Sequence, residues 1–593
     1  MEIESPISSV DLPGISDLEL RGLIVVVGPN SSGKTQFLHD LNEVVVGRSR
    51  QLVVASGIQF RQPPPFEEYL AHLIDRKSIS DQGEGQYLKR SLQLGVDGGA
   101  GSFGKNQLKS QHRDFSDAAQ IPLNEYSPGY PFLQELGPLS CSALFLVNRL
   151  TLMDDCPSFD QRSQGPAKTL QSLYGNKNAK VDFSNEIEGV FNRGVWVDAT
   201  RHQQLVVRIS DFGQIPPAED RLEPEIMEGY RTIQTAGDGL RSYSAICATL
   251  LIDQRPLCLI DEPEMCLHPP QAYAMGRLIG GRSDQIACTV VATHSSHVLK
   301  GILETNPDAH IIRLTRVDSS FQARTLSTEL LKKATSKPRT RSEAILEGLF
   351  SDAVVLCEAE GDRLVYESAY RTLENRRLDI RFTPSEGTGG FADPLQLYTA
   401  LQIPTAVIAD IDFIAKDGEL RKVLIGLGVA DSQLNKLCTR ARDLVSNIRS
   451  STSTIDSIKI QDTLKELAES PIDPTKNEDN KLRGELQRLI NNMYKLHELQ
   501  LRGIEGIPSS LKADANDLLS EFGEVGLFPV PVGELESWLP MLMKGSSRED
   551  KSQWAMLAAE KIEDAGDRKE EDIWKFVRST ADFLGSQLKS ISK

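Results

Sequence analysis

Residues Gly28-Pro-Asn-Ser-Ser-Gly-Lys-Thr35 match the pattern G-x-x-x-x-G-K-[ST] and lie between two segments of opposite character. Before them runs Leu23–Val27, a short apolar stretch dominated by β-branched residues. After them comes an amphipathic stretch from Lys34 to about Val46. That order predicts strand, glycine-rich loop, helix, the setting in which this pattern holds phosphate. Gly28 and Gly33 let the main-chain N–H groups of Asn30, Ser31 and Ser32 turn inward around phosphate oxygens, and the helix N-terminus adds positive potential. Lys34 is expected to reach the β and γ phosphates of ATP, and Thr35 to meet its magnesium.

Further along, the buried-strand pattern Leu257–Ile260 runs into Asp261-Glu262-Pro-Glu264. An acidic residue at the C-terminal end of a parallel strand stands in the crevice where ligands bind. Asp261 is therefore a candidate to hold magnesium through water, and Glu262 to polarise the attacking water. The next strand, Cys288–Ala292, ends in Thr293-His294-Ser295, which places His294 near a γ-phosphate. Upstream, Gln234–Ile252 has helical spacing. Strands alternating with helices imply an α/β fold with a parallel sheet.

The segments GPNSSGKT, LCLIDEPEMCLHP and VVATHS occur in the order of the ABC-type ATPases and resemble the RecF and SMC branch of that family. The resemblance implies a further motif that completes the nucleotide site of a second copy. Ala236-Gly-Asp-Gly-Leu-Arg-Ser242 stands in its place and lacks the usual Ser-Gly-Gly core. Gly237, Gly239 and Arg241 would then face the second copy's γ-phosphate, and ATP would lie between two such surfaces in a homodimer or higher oligomer. Gln59 is offered for the family's glutamine loop.

The second half repeats the α/β pattern with a different chemistry. Strand Ala353–Cys357 leads into Glu358-Ala-Glu360-Gly-Asp362, and strand Thr405–Ala409 leads into Asp410-Ile-Asp412. Residues i and i+2 of an extended strand share a face, so Asp410 and Asp412 converge if extension continues past Ala409. With Glu358 they would form a hard oxygen cluster suited to magnesium or manganese. Carboxylates crowded without a cation repel one another and lose solvation, which a metal relieves.

This half resembles the Toprim domain of topoisomerases, primases and the OLD (overcoming lysogenization defect) nucleases. Glu358, Asp362, Asp410 and Asp412 fall on the family pattern, although Ala359 stands where a Gly is usual. Ser385-Glu-Gly-Thr-Gly-Gly390 is similar to the family's glycine turn. Phe528-Pro-Val-Pro-Val-Gly-Glu-Leu-Glu536 is similar to the OLD segment that supplies another metal ligand, here Glu534 or Glu536, with Glu536 favoured. The family also places a lysine after that segment, and Lys544, Lys551 and Lys561 are all available. Glu347–Glu358 is similar to the OLD junction between the two halves.

The resemblance implies an ATP-binding, Mg2+- or Mn2+-dependent endonuclease acting in antiphage defence, with ATP binding or hydrolysis gating the Toprim site. Its catalytic residues would be Glu358, Asp410, Asp412 and Glu536, with Glu262 for ATP. The expected substrate is nucleic acid, DNA favoured over tRNA, with a partner such as a helicase possible in a defence system. A non-catalytic ATP-dependent scaffold stands as the alternative.

At roughly 150 residues per domain, 593 residues exceed one core. An ABC-type ATPase domain is expected over 1–335 with an irregular or helical insertion at about 47–224, then a basic linker at 336–349, then a Toprim domain over 350–593 with a helical insertion at about 416–517. The net charge of −17 argues against a protein that simply coats polyanions, but not against one that gathers carboxylates around metal ions. The eight scattered cysteines show no C-x-x-C and read as reduced core residues. With no signal sequence and no long apolar run, a cytoplasmic protein without a membrane segment is expected.

Overall fold

The computed structural model describes residues 4–75, 79–89, 102–158, 166, 168–201, 203–211, 224–252, 255–326, 343–374, 376–385, 387–450, 465, 495–540, 542–543, 550–569 and 572–591. The chain divides into two compact units, Met1–Phe350 and Ser351–Lys593.

In the first unit the central sheet is built from β1 (Gly22–Val27), β2 (Cys141–Leu144), β3 (Leu257–Asp261), β4 (Cys288–Ala292), β5 (His310–Val317) and β6 (Ser320–Thr325). The spatial order is β2-β3-β4-β1-β5-β6. All neighbours run parallel except the β5–β6 hairpin. Strands β3 and β4 are buried throughout, as expected where helices cover both faces of a parallel sheet. Helix Lys34–Val45 leaves the glycine loop directly after β1, and helix Asp238–Ile252 precedes β3. A smaller antiparallel sheet joins Ile7–Leu12, Ile15–Glu19, Gly57–Phe60 and Leu123–Asn124.

The stretch expected as an insertion at 47–224 is therefore only partly one. Cys141–Leu144 is the edge strand of the central sheet, paired in parallel with Leu257–Ile260, and Gly57–Phe60 pairs with the N-terminal strand. The edge strand's sequence, CSAL, has none of the β-branched enrichment seen in β1, β4 and β5. Residues 336–342 of the expected linker lie outside the described residues. Its remainder is folded: helix Glu343–Glu347 and the turn Gly348–Phe350 belong to the first unit. Ile345, Leu346 and Leu349 are buried, and the Arg313 guanidinium donates to the Leu349 carbonyl at 3.2 Å.

The second unit holds a four-stranded parallel sheet of β7 (Ala353–Cys357), β8 (Ile380–Pro384), β9 (Thr405–Ala409) and β10 (Leu527–Pro529), in the order β8-β7-β9-β10. Its core gathers the β7 and β9 side chains with Tyr366, Trp538, Trp554 and Trp574. Between β9 and β10 the described chain is helical, at Asp417–Gly426, Asp431–Ser450, Lys495–Arg502 and Ser509–Glu524. The polar break expected at Ser470–Asn480 lies outside the described residues. None of the eight cysteines is in a disulfide, and all but Cys266 are buried. Among the described residues no helix is long and apolar enough to cross a membrane.

Candidate functional sites

The glycine loop in the first unit has the backbone that anion binding requires. Gly28 and Gly33 take φ values of +145° and +96°, and Ser31 takes +62°. A Cβ on Gly28 would come within 2.0 Å of the Leu314 carbonyl, so the close approach of β5 also demands glycine there. Lys34 is buried and donates from Nζ to the Gly28 and Pro29 carbonyls, each at 2.9 Å. The Ser32 hydroxyl is buried beside Gly28, with no hydrogen-bond partner among the described residues. A cradle with an orphaned hydroxyl and a folded-back lysine fits a nucleotide phosphate. Asn30 is exposed at the tip of the loop.

Across the sheet, Thr35 Oγ1 donates to Asp261 Oδ1 at 2.9 Å, which brings the two expected magnesium residues together. Burial pushes Asp261 up to about 6. Glu262 follows with φ +44°, and its carboxylate faces His294, Oε1 to Nδ1 at 3.4 Å. The His294 contact holds Glu262 below the usual carboxylate range, and the same contact raises the imidazole.

Two further residues organise this edge. Buried Glu264 accepts from the Thr293 hydroxyl at 2.8 Å and from the His294 main-chain N–H at 2.7 Å, fixing the end of β4. Buried Arg149 donates to the carbonyls of Asp261 and Glu262. Glu264 stands in the quoted acidic motif, whereas Arg149 carries no motif at all.

The glycine turn upstream opens helix Asp238–Ile252. Gly237 is exposed with open space around it, while Gly239 packs against the Cys266 carbonyl, which a Cβ would approach to 2.3 Å. Arg241 pairs with Asp238 at 3.3 Å and donates to the Leu150 carbonyl. Gln59 sits in strand Gly57–Phe60 and spends its amide on the Phe60 and Ala119 carbonyls, at 3.0 and 2.6 Å, not on any residue of the glycine loop.

In the second unit the parallel pairing of β7 with β9 sets Glu358 and Asp410 side by side at adjacent strand ends. Glu358 Oε1 accepts the Asp410 main-chain N–H at 3.0 Å. Asp362, in the first turn of helix Glu360–Thr372, accepts the Ala359 N–H at 2.9 Å. The Ile411 N–H donates to the Gly533 carbonyl at 3.1 Å, which ties the Gly-Glu-Leu-Glu segment to the same edge. Glu536 is buried in the 3-10 turn Leu535–Ser537, and Glu534 lies just before it.

Asp412 arrives differently from the sequence expectation. Extension stops at Ala409, and Ile411–Ala415 forms a 3-10 turn, so Asp410 and Asp412 do not share a strand face. Asp412 instead faces Lys416, Oδ2 to Nζ at 3.5 Å. Of the three candidate lysines, Lys551 lies at the carboxylates, 3.4 Å from Glu534 and 3.3 Å from Glu536. Lys561 donates to the Leu542 carbonyl at 2.6 Å. Lys544 lies outside the described residues.

Burial, reinforced by neighbouring carboxylates, raises these acids: Glu358 to about 7, Asp362 to about 6 and Asp410 to about 8. Among the described residues no three His, Cys, Asp or Glu side chains are already arranged as a metal-binding group. Glu358 and Asp362 each turn an oxygen to a main-chain N–H. The donor set nonetheless fits a hard divalent cation, because clustered buried carboxyls held partly protonated are what a 2+ ion stabilises as anions.

Residues 349–412 match the family model for the TOPRIM domain of overcoming lysogenization defect protein-like proteins. Over 168 residues the chain is 26% identical to the Old nuclease of Escherichia phage P2, a match spanning 27% of this chain and 28% of that protein. Among solved structures, the SMC head domain from Thermotoga maritima covers 55% of this chain and all of its own, at 14% identity and a TM-score of 0.28. The Smc head from Pyrococcus furiosus, with an extended coiled coil and bound to the C-terminal domain of ScpA, covers 56% of this chain and 98% of its own, at 13% identity and a TM-score of 0.29. The second unit is thus similar, over residues 349–412, to the TOPRIM domain of OLD-like proteins, and the first unit carries a glycine loop between a parallel strand and a helix.

Proposed function

We propose that the protein is an OLD-type endonuclease that binds ATP in its first unit and hydrolyses nucleic-acid phosphodiester bonds in its second, DNA being favoured over tRNA. The supporting observation is the set of buried, mutually raised carboxyls at the ends of β7 and β9, with Lys551 beside Glu534 and Glu536. Glu358, Asp362, Asp410, Asp412 and Glu536 would hold Mg2+ or Mn2+, with Glu534 adjoining. A bound divalent cation supplies charge to the scissile phosphate and acidifies water. The Lys551 ammonium, raised above its ordinary value by Glu536 and Glu534 against the opposing effect of burial, stays charged and is placed to meet phosphate oxygens.

At the nucleotide site Lys34 and the glycine-loop amides bind phosphate, Thr35 and Asp261 hold magnesium, and the ionised Glu262 takes the proton of the attacking water. ATP binding would bring two copies together through the turn of Gly237, Gly239 and Arg241, and would gate cutting. The likeness to OLD proteins supports reading the protein as one that acts in antiphage defence. Asp410→Ala should abolish cation-dependent cutting of plasmid DNA while ATP affinity is unchanged. Full residual cutting would refute the site, and offering plasmid DNA and total tRNA together with Mn2+ decides the substrate.

A further inference from the structure

Strand β2 runs into a short helix, Leu146–Arg149, whose last residue turns inward beneath the catalytic strand end. Arg149 is fully buried. Its Nη1 donates to the Asp261 carbonyl and its Nη2 to the Glu262 carbonyl, the latter at 3.0 Å, while its Nε is buried with no hydrogen-bond partner among the described residues. Both bonds go to main-chain oxygens rather than to carboxylates. A guanidinium removed from water on such terms is a poor device for stability alone. It is a good device for geometry, since its planar fork fixes two successive carbonyls at once.

The fork acts where the backbone needs restraint. Glu262 has φ +44°, a left-handed conformation that residues with side chains rarely adopt. In that conformation its carboxylate lies 3.4 Å from His294. Without the fork the Glu262 carbonyl would keep only its bond from the Met265 N–H, at 3.1 Å, and the turn would have more room to relax and move the carboxylate. The neighbouring Leu150 carbonyl accepts from Arg241, so the restraint also reaches the glycine turn within the same unit.

We infer that Arg149 is a positioning residue for ATP hydrolysis, holding the Asp261–Glu262 main chain so that the Glu262 carboxylate meets the attacking water without itself touching nucleotide. This rests on the ATPase reading proposed above. In that reaction the water oxygen bonds to the γ-phosphorus, the bond to the β,γ-bridging oxygen breaks, and the water proton passes to Glu262.

The test uses full-length Arg149→Ala and Arg149→Lys, measuring affinity for a fluorescent ATP analogue and steady-state hydrolysis. Affinity should stay within about threefold, while kcat falls by about tenfold or more. Adding about 50 mM guanidinium should restore part of the Arg149→Ala rate but none of the rate lost in Glu262→Gln. If Arg149→Ala does not fold, Arg149→Lys carries the test, because one ammonium cannot span both carbonyls. Wild-type kcat in the variants, or affinity and kcat falling together without rescue, overturns the inference. Absence of hydrolysis by the wild type overturns the ATPase reading itself, whereas wild-type hydrolysis with unaffected variants overturns this inference alone.

Discussion

The Thr35 hydroxyl donates a 2.9 Å hydrogen bond to Asp261 across 226 residues of sequence. The two groups expected to share a magnesium ion therefore lie within direct hydrogen-bond reach of each other. Lys34 is likewise within reach of the Gly28 and Pro29 carbonyls. Under the proposed function each group would exchange its partner within the protein for one on Mg-ATP.

Lys34→Ala should therefore lower ATP affinity by about two orders of magnitude, through loss of the charge-assisted contact to phosphate. The loop would also lose its internal tie. Titration with a fluorescent ATP analogue measures this, and affinity within about threefold of the wild type would remove Lys34 from the binding site.

The raised carboxyls set a pH dependence. Unfolded Asp and Glu titrate near pH 4, whereas burial lifts Glu358 to about 7 and Asp410 to about 8. Between those values the folded state binds more protons than the unfolded chain. Their contribution is present in full below about pH 4 and is lost as pH climbs through 7 and 8, so EDTA-treated protein should melt at lower temperature as pH rises. Mg2+ should reverse this, more at pH 8 than at pH 6. Melting curves of the wild type and Asp410→Asn check it, the variant showing the shallower slope.

Lys551 and Lys561 should separate cleanly. Lys551→Ala should lower nuclease kcat by about 100-fold, because it removes the ammonium beside Glu534 and Glu536. Lys561→Ala should cost about 1 kcal/mol of stability through its lost bond to the Leu542 carbonyl, with cutting retained. Plasmid cleavage and urea unfolding of both variants provide the comparison.

Gly533 has φ +112°, and a Cβ there would stand 2.2 Å from the Gln500 carbonyl. Gly533→Ala should destabilise the protein by about 1–3 kcal/mol. It should also displace Glu534 and Glu536, which follow directly. A loss of Mn2+ affinity larger than the loss of stability predicts is the expected signature, read by metal titration at a temperature where the variant is folded.

How much of this was legible in the sequence follows from how local each signal is. Cys288–Ala292, Ala353–Cys357 and Thr405–Ala409 are buried on both faces, so apolar runs mark their bounds, and the strands match. Asp412 does not share a strand face with Asp410, because alternation holds only while extension continues and the chain turns into a 3-10 helix one residue after Asp410. Edge strands such as Cys141–Leu144 and the hairpin β5–β6 pass unread because their identity depends on partners far along the chain. Arg149 is hidden for the same reason: its function lies in two main-chain oxygens more than a hundred residues away.

The bond from the Asp410 main-chain N–H to Glu358 Oε1 makes side-chain length, not only charge, a requirement at that position. The carboxyl must reach from the end of one strand to the backbone of the next while leaving its second oxygen for other work. Asp at 358 keeps the charge but is one methylene too short for both tasks. The two strand ends would then be free to part, and the spacing of the acidic groups would be set by solvent rather than by the sheet.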